Sequence, residues 1–421
     1  MLQKHVIIVG GGFAGLACAK KLAKNKNVHI TLLDQHNYHQ FKPLLYQVAA
    51  SELPPSDVAT PLRILFESKH NVDIKMVEVT SIDPTSKTVT TRDGKEYSGD
   101  FLVIAAGSQA NFFGVKGAEE WTFPLYSLED AKRLRTRILS LFEAVEKDPN
   151  LAQQNLLNFV IVGAGPTGTE LAGGLADMVQ YSLVKEFSPH VAKSTNIYLV
   201  DFLPSVLAQF SEEAQKYAEK ELSARGVFIH LNAAVQEVTK DCVLLSDGET
   251  IPTHTVIWAG GVKASPLSLS CKLPVGRGGR IDVKKDLTVE GFPEIFVLGD
   301  FANIPSQDGK GQPQLGAVAL QCGAWAAKNI LHSIEGSPKE DFQYHDKGIM
   351  AIIGRNSAVA ELGKRRYEIE GFLAFVAWLL VHAALLPTFR QKIETLLTWT
   401  CQYFTKSRAL QLLDRNDLPR V

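Results

Sequence analysis

The chain runs a short β-branched strand into a glycine-rich turn and an alanine-rich helix, and it does so twice. The first copy is HVIIVGGGFAGLACAKKL, His5 to Leu22, followed by HITLLDQHN, His29 to Asn37. Val6 to Val9 reads as a buried parallel strand, and Gly10, Gly11, Gly12, Phe13, Ala14 and Gly15 form the G-x-G-x-x-G turn that opens the helix. Gly10 permits the tight turn, Gly12 lets backbone amides approach a diphosphate at the helix N-terminus, and Gly15 lets helix and strand pack closely. The next strand ends in Asp34, an acid able to accept from both hydroxyls of an adenosine ribose. Strand, spaced glycines, helix, strand and terminal acid together predict a dinucleotide site.

The second copy is Phe159 to Glu170, with Gly163, Gly165, Pro166, Thr167 and Gly168 in the turn and Asp201 ending the strand from Asn196. Its gap from turn to acid is longer, so more than one helix must lie between. Each copy is followed by a hairpin candidate and a closing strand ending in small residues, Ala106 and Gly107 in one, Gly260 and Gly261 in the other. A third such strand ends in Gly299 and Asp300 before a helix from Gly316, which would aim a carboxylate at a polyol chain. The fold class is therefore α/β: two Rossmann-like dinucleotide-binding domains, the first split by insertion of the second, and a C-terminal helical segment. The boundaries expected are 1–150 and 286–345 for the split domain, 151–285 for the inserted one and 346–421 for the C-terminal region.

Smaller elements are also legible. A helix is expected after Pro61, hairpin strands over Ile74 to Ile82 and Thr88 to Thr91, an Asp-Gly turn at Arg92 to Lys95, and an amphipathic helix over Leu128 to Glu146. With 421 residues, 45% of them apolar, two or three large cores can form. A net charge of −1 gives no reason to propose nucleic acid as a partner. The five cysteines, at 18, 242, 271, 322 and 401, include no C-x-x-C pair and read as incidental thiols of a reducing compartment. No charged-then-apolar leader precedes Val6, so the bulk of the protein is expected to face the cytoplasm.

The two glycine-rich units, the Ala106-Gly107 and Gly260-Gly261 strand ends and Gly299-Asp300 resemble the two-dinucleotide-domain flavoproteins. Within them NYHQFKPLLYQVA, GAGPTGTELAG and the C-terminal sequence are similar to the type II, non-proton-pumping NADH:quinone oxidoreductases, over nearly the whole chain. The resemblance implies that FAD is held by the first unit and the Gly-Asp segment, through Gly10, Gly12, Phe13, Ala14, Gly15, Asp34, Lys42, Ala106, Gly107, Gly299 and Asp300. It assigns NADH to the second, through Gly163, Gly165, Pro166, Thr167, Gly168, Asp201 and Gly260. Asp201 would accept from a free 2′-hydroxyl but repel a 2′-phosphate, and no arginine follows it, which favours NADH over NADPH. Two such cofactors fit an electron relay that needs no side-chain nucleophile, in keeping with a sequence that offers neither a Ser/His/Asp constellation nor a metal-ligand cluster.

Glu170 and Gln321 are the candidate catalytic side chains. Glu170 is either a first-turn carboxylate matched to the helix dipole or, as the resemblance suggests, a group between nicotinamide and flavin. The family carries Ala-Gln where this chain has Gly316-Ala317, so its quinone-facing amide is absent, and Gln321, one turn on, does not replace it. Disulfide-reductase members need paired cysteines after the first unit; this chain has Phe41, Lys42, Pro43 and Leu44 there.

From Gly371 to Leu386 the chain is apolar nearly all round, until Pro387 stops it. The next helix sets Phe389, Ile393, Leu396, Leu397, Tyr403 and Phe404 on one face against Arg390, Lys392, Thr395, Thr398, Gln402 and Lys406. Residues 364–421 carry nine Lys or Arg against five Asp or Glu, which suits an anionic membrane surface with Trp378 and Trp399 as interfacial anchors. A helical pair docked on the protein's own body, a homodimer seam, or a span are the alternatives; the run is short of the roughly 20 residues a span requires and holds His382. The function expected is oxidation of NADH through FAD, with two electrons delivered to a membrane quinone, ubiquinone or menaquinone, by a peripheral protein on the cytoplasmic face of the cell membrane. Alternatives are a reductase with a soluble acceptor, a sulfide:quinone oxidoreductase-like enzyme, or a non-catalytic flavoprotein scaffold.

Overall fold

The structure, a computed structural model, describes residues 3–306, 309, 311–363, 365–408 and 411–413. The chain forms two compact units. The first comprises residues 1–40, 60–109 and 262–345, the second residues 41–59, 110–261 and 346–421.

The first unit is built on a six-stranded sheet in the order 288–289, 292–297, 101–104, 4–9, 28–34, 72–76. Lys4–Val9 lies between Val28–Asp34 and Phe101–Ile104, parallel to both, with Val6 opposite Ile30 and Phe101. Buried on both faces, these strands read as continuous apolar runs rather than alternating ones. The helices Phe13–Leu22 and Gly316–Glu335 pack on each other. Gly323 makes that possible, because a Cβ there would fall 2.1 Å from the Ala14 carbonyl oxygen.

The expected strand over Ile74 to Ile82 is two strands. Val72–Met76 runs parallel at the sheet edge, Ile74 beside Leu32, whereas Val79–Asp83 pairs antiparallel with Thr88–Thr91 in a separate three-stranded sheet. The adjacent apolar residues Met76 and Val77 shift the alternation by one, which turns the chain out of the first sheet. After Pro61 only one helical turn forms, Leu62–Leu65, since Glu67 to His70 offers no apolar face to extend it.

The second unit repeats the plan with five strands in the order 122–124, 255–258, 158–162, 196–200, 227–230. Between its glycine turn and Asp201 the chain fits the helix Pro166–Asp177, a π-helical turn Met178–Leu183 and two short helices, so the long gap does hold more than one helix. The amphipathic helix Leu128–Lys147 starts with a Ser127–Asp130 capping box. Strands Gly348–Gly354, Ser357–Leu362 and Tyr367–Glu370 form an antiparallel sheet, followed by helices Gly371–Leu385 and Phe389–Thr405.

The last helix leaves its apolar face outward, as contact with a membrane surface would need, and packs by its other side. Gln391, Thr395 and Trp399 are the residues turned inward, while Phe389 is 79% exposed, Leu397 59% and Phe404 78%. The preceding helix buries Ala374, Phe375, Trp378 and Ala383 and leaves Phe372, Leu373, Leu380 and Leu385 outside. Two of the inward polar groups find partners far back in the chain: Gln391 Nε2 donates to the Ser56 and Ala59 carbonyls, and Trp399 Nε1 to Gln47 Oε1. Trp378 and Trp399 are therefore buried core residues, which corrects the reading of them as interfacial anchors. No helix among the described residues is long and apolar enough to cross a membrane. Lys364, Arg415 and Arg420, counted in the basic surplus, lie outside the described residues.

Candidate active site: two nucleotide turns and a buried acid

In the first unit Gly10 sits at φ +99°, and a Cβ there would fall 2.3 Å from the Ala105 carbonyl oxygen. A Cβ on Gly15 would lie 1.9 Å from the Gly10 carbonyl oxygen, so the turn closes only with hydrogen at both places. Gly12, by contrast, has open space where a side chain would go. It precedes a ten-residue helix that no side chain caps, which leaves first-turn N–H groups facing that space. Asp34 ties the strand end to the turn: Oδ2 accepts from Gly11 N at 2.6 Å and Oδ1 from His36 N at 2.7 Å, each oxygen keeping a lone pair for a ribose hydroxyl.

The second unit reproduces this geometry. Gly163 is at φ +106°, a Cβ on Gly168 would lie 1.8 Å from the Gly163 carbonyl oxygen, and Gly165 opens on space. Asp201 Oδ2 accepts from Ala164 N at 2.6 Å and Oδ1 from Leu203 N at 2.8 Å. Pro166 occupies the first helical turn, where its missing N–H costs nothing, and Thr167 is exposed beside it. An uncapped helix end, an open cradle and an acid with spare lone pairs fit a dinucleotide diphosphate and ribose in both units.

Asp300 accepts from Ser108 Oγ at 2.6 Å, and Gly299 donates its N–H to Cys322 Sγ at 3.2 Å. The Gly-Asp corner is thus fastened to the Gly107 strand end and to the helix Gly316–Glu335, all within the first unit. Gly107 itself lies at φ +70° with open space beside it. Phe13 meets His39 edge-on at 5.3 Å, Ala14 is buried under Gly299, and Ala106 is half-buried. In the second unit Lys42 lies over the Tyr126 ring at 3.4 Å, and Gly260 packs beside the Trp258 indole.

Glu170, in the helix Pro166–Asp177, is buried. Its Oε1 accepts from Ile352 N at 3.3 Å and from Trp378 Nε1 at 3.2 Å. Burial pushes its pKa up to about 8, outweighing the two hydrogen bonds, and Glu52 nearby adds to the rise. Glu52 is itself pushed up to about 7 by burial, against the opposing pull of Arg408, whose Nη2 donates to it at 2.7 Å. The raised pKa favours the protonated carboxyl near neutral pH. Glu170 is the fifth residue of its helix, past a first turn that holds no acid, which corrects the reading of it as a first-turn carboxylate matched to the helix dipole.

Residues 4–323 match the model of the pyridine nucleotide-disulphide oxidoreductase family. The type II NADH:quinone oxidoreductase Ndh of Mycobacterium tuberculosis is 35% identical over 436 aligned positions, covering all of this chain and 92% of that one. The type II NADH:quinone oxidoreductase of Staphylococcus aureus is 33% identical, covering 85% of this chain and 89% of its own. The chain belongs to the type II NADH:quinone oxidoreductases. The fold agrees: the structure of NDH2 from Plasmodium falciparum in complex with NADH superposes with a TM-score of 0.88 at 18% identity, over 96% of this chain and 99% of that one. A sulfide:quinone oxidoreductase from Aquifex aeolicus shares the fold at a TM-score of 0.74 and 22% identity, over 91% and 90% of the two chains.

Two further features bear on the chemistry. All five cysteines are free thiols, and Cys18, Cys271 and Cys322 are buried, where the pKa of each is raised and the thiolate disfavoured. Gln321 has its amide committed to backbone: Nε2 donates to the His345 carbonyl at 3.0 Å and Oε1 accepts from His345 N at 2.9 Å. One N–H is left for any other partner.

Three parts of the site escaped the sequence reading. The Trp378 bond to Glu170 joins residues 208 positions apart. Gly173 allows the Glu170 helix to lie against the strand Gly348–Gly354, since a Cβ would fall 1.7 Å from the Ile353 carbonyl oxygen; the Gly-Gly pair inside a helix was the available signal. A cavity of about 280 Å³ opens between the two C-terminal helices, lined by Phe375, Leu379, Leu396 and Tyr403 and reaching Glu170 and Glu52.

Proposed function

We propose that this chain oxidises NADH by hydride transfer to FAD and passes two electrons to a quinone taken from a membrane, moving no protons through itself. The observation that carries the reading is the turn built twice to the same dimensions, with an acid tied to each. One turn would serve any nucleotide protein; two on one chain call for a resident and a visiting dinucleotide. The first turn with Asp34, Gly107 and Asp300 holds FAD, which when bound accepts a hydride and releases electrons onward. The second turn holds NADH, and Asp201 selects it by accepting from the 2′-hydroxyl.

Glu170 is the acid on the nicotinamide side. Both of its donors fall on Oε1, so the proton it holds at neutral pH sits on Oε2. The cavity beside it, walled by aromatic and aliphatic side chains, suits a lipid-soluble acceptor with a planar head.

The two C-terminal helices present Phe372, Leu373, Leu380, Phe389, Leu397 and Phe404 to solvent, an apolar surface larger than isolated exposed side chains explain. Such a surface supports peripheral attachment to a membrane, with Arg390 and Lys392 beside the apolar row facing anionic headgroups; the face we assign is the cytoplasmic one. Replacing Phe389→Glu and Leu397→Glu together is expected to abolish flotation with phosphatidylglycerol vesicles and to leave NADH:ferricyanide turnover intact; co-flotation equal to wild type sinks membrane attachment. A second copy covering the same face would appear instead as a dimer that the double variant splits.

Anaerobic reduction tests the chemistry. NADH should bleach the flavin, and ubiquinone or menaquinone analogues should restore its colour rapidly. Recovery only with ferricyanide or ferredoxin would favour a soluble acceptor, the reading that Ala317 and the committed amide of Gln321 support. Sulfide, an electron donor, is not expected to bleach the oxidised flavin in place of NADH, because Cys18, Cys271 and Cys322 are buried with the thiolate disfavoured. Failure to bleach would leave a flavoprotein scaffold.

A further inference from the structure

Trp378 is completely buried, and a buried indole N–H needs an acceptor. The acceptor here is Glu170 Oε1, at 3.2 Å. The ring has little freedom to turn away. His382 stacks on it at 3.9 Å, and Trp399 and Tyr46 meet it at 5.9 and 6.3 Å.

We propose that Trp378 is a positioning residue for the NADH half-reaction: its indole fixes the Glu170 carboxyl with Oε1 turned toward the C-terminal helix and Oε2 presented away from it. This rests on the reading of Glu170 as the nicotinamide-side acid. The helix that offers its outer face to the membrane thereby reaches the reducing site with its inner face.

The groups around Glu170 make the indole matter. The short helix Leu45–Ala49 brings the Tyr46 hydroxyl, which accepts from Gln47 Nε2. Beyond it Glu52 is paired with Arg408. Farther along the acid's own helix, Asp177 is paired with Arg225 at 3.4 Å. The strand Gly348–Gly354 contributes the Ile352 N–H, and after it Arg355 donates its own N–H to Asp177. The last helix contributes Trp399, whose N–H goes to Gln47. His382, on the Trp378 helix, is held neutral by burial, its pKa lowered to about 4. Among the described residues no cation is paired with Glu170, so its ionised form is stabilised by two neutral donors, one of them the indole.

The test is the pH profile of kcat/KM for NADH, with ferricyanide as acceptor, in the flavin-loaded enzyme. Glu170→Gln should remove one ionisation from the profile. Trp378→Phe keeps an aromatic ring and deletes the donor, and should raise the midpoint of that ionisation by about one pH unit. The double variant should match Glu170→Gln alone. Trp399→Phe, which deletes the neighbouring indole donor, should leave the midpoint in place. If Trp378→Phe does not retain flavin, benzothienylalanine placed at 378, the same ring shape with sulfur for N–H, should give the same shift. A profile for the 378 variants that overlays wild type, while Glu170→Gln loses its ionisation, overturns the role of Trp378 and leaves that of Glu170 standing. A Glu170→Gln profile identical to wild type removes the role of Glu170 and, with it, that of Trp378.

Discussion

The two glycine turns can be laid over one another residue for residue, and they differ at one informative place. Gly10, Gly12 and Gly15 correspond to Gly163, Gly165 and Gly168 in backbone angle, in the space beside them and in the close approach of helix to strand. Asp34 and Asp201 each bind two backbone N–H groups at distances that agree within 0.1 Å. Two residues past the third glycine, however, the first unit has Ala17 and the second Glu170. In the first unit that place carries only a methyl group; in the second it is a buried acid held by a tryptophan far along the chain. On the function proposed above, the turn grips a dinucleotide and the chemistry lies just beyond it, where the copies diverge.

The comparison is broken most directly at the third glycine. In Gly15→Val and Gly168→Val a Cβ would enter the carbonyl oxygen of the first turn glycine, at 1.9 and 1.8 Å, so each turn must open. The two variants should fail differently. Gly15→Val is expected to purify without yellow colour, measured as the ratio of absorbance at about 450 nm to protein. Gly168→Val is expected to keep its flavin and lose NADH oxidation by about a hundredfold or more. Loss of colour in both would mean that the second turn does not serve the visiting nucleotide.

The glycine pattern made the turns and the acids that follow them readable, because steric exclusion at a few positions leaves glycine as the only solution. What could not be read has the opposite character. Trp378 and Trp399 carry the composition of membrane anchors, yet each indole N–H is directed to a buried acceptor supplied from elsewhere in the chain, Glu170 and Gln47. In the last helix periodicity identifies two faces but not what each of them meets, and Gln391 and Trp399 turn inward to carbonyls at 56 and 59 and to the amide of Gln47. The Gln321 amide bonds the His345 backbone, a partner that no pattern in the sequence announces, and keeps one N–H for another.

A second, smaller effect follows from Glu170 being absent from the first copy. Its folded pKa of about 8 lies above the ordinary carboxyl value of 4.5, so between those values the folded protein holds a proton that the unfolded chain releases. The stability it contributes is complete below about pH 4.5 and is lost as pH rises through about 8, by at most about 5 kcal/mol. Glu52 acts in the same direction, with its loss ending near pH 7. Glu170→Gln should therefore flatten the fall in denaturation midpoint between about pH 5 and 8, leaving the part due to Glu52. An unchanged slope would mean that water reaches the acid in solution.

The smallest effect separates the two acids. Asp34→Ser and Asp201→Ser each remove a carboxylate that pins its own turn and that the proposed function sets against a ribose, so the same local damage is done in both units. A charged acceptor is worth about 1.5–3 kcal/mol, and serine retains part of it, so each change should cost about 1.4 kcal/mol, a factor of about ten. In Asp34→Ser the loss should appear as faster release of flavin, with the preference for NADH over NADPH unchanged. In Asp201→Ser it should appear as a tenfold lower kcat/KM for NADH with flavin retained, and as a narrowed NADH to NADPH ratio, because the charge that repels a 2′-phosphate is gone. If the ratio moves in Asp34→Ser and not in Asp201→Ser, the assignment of resident and visiting cofactor is reversed, and the buried acid belongs to the flavin rather than to the nicotinamide.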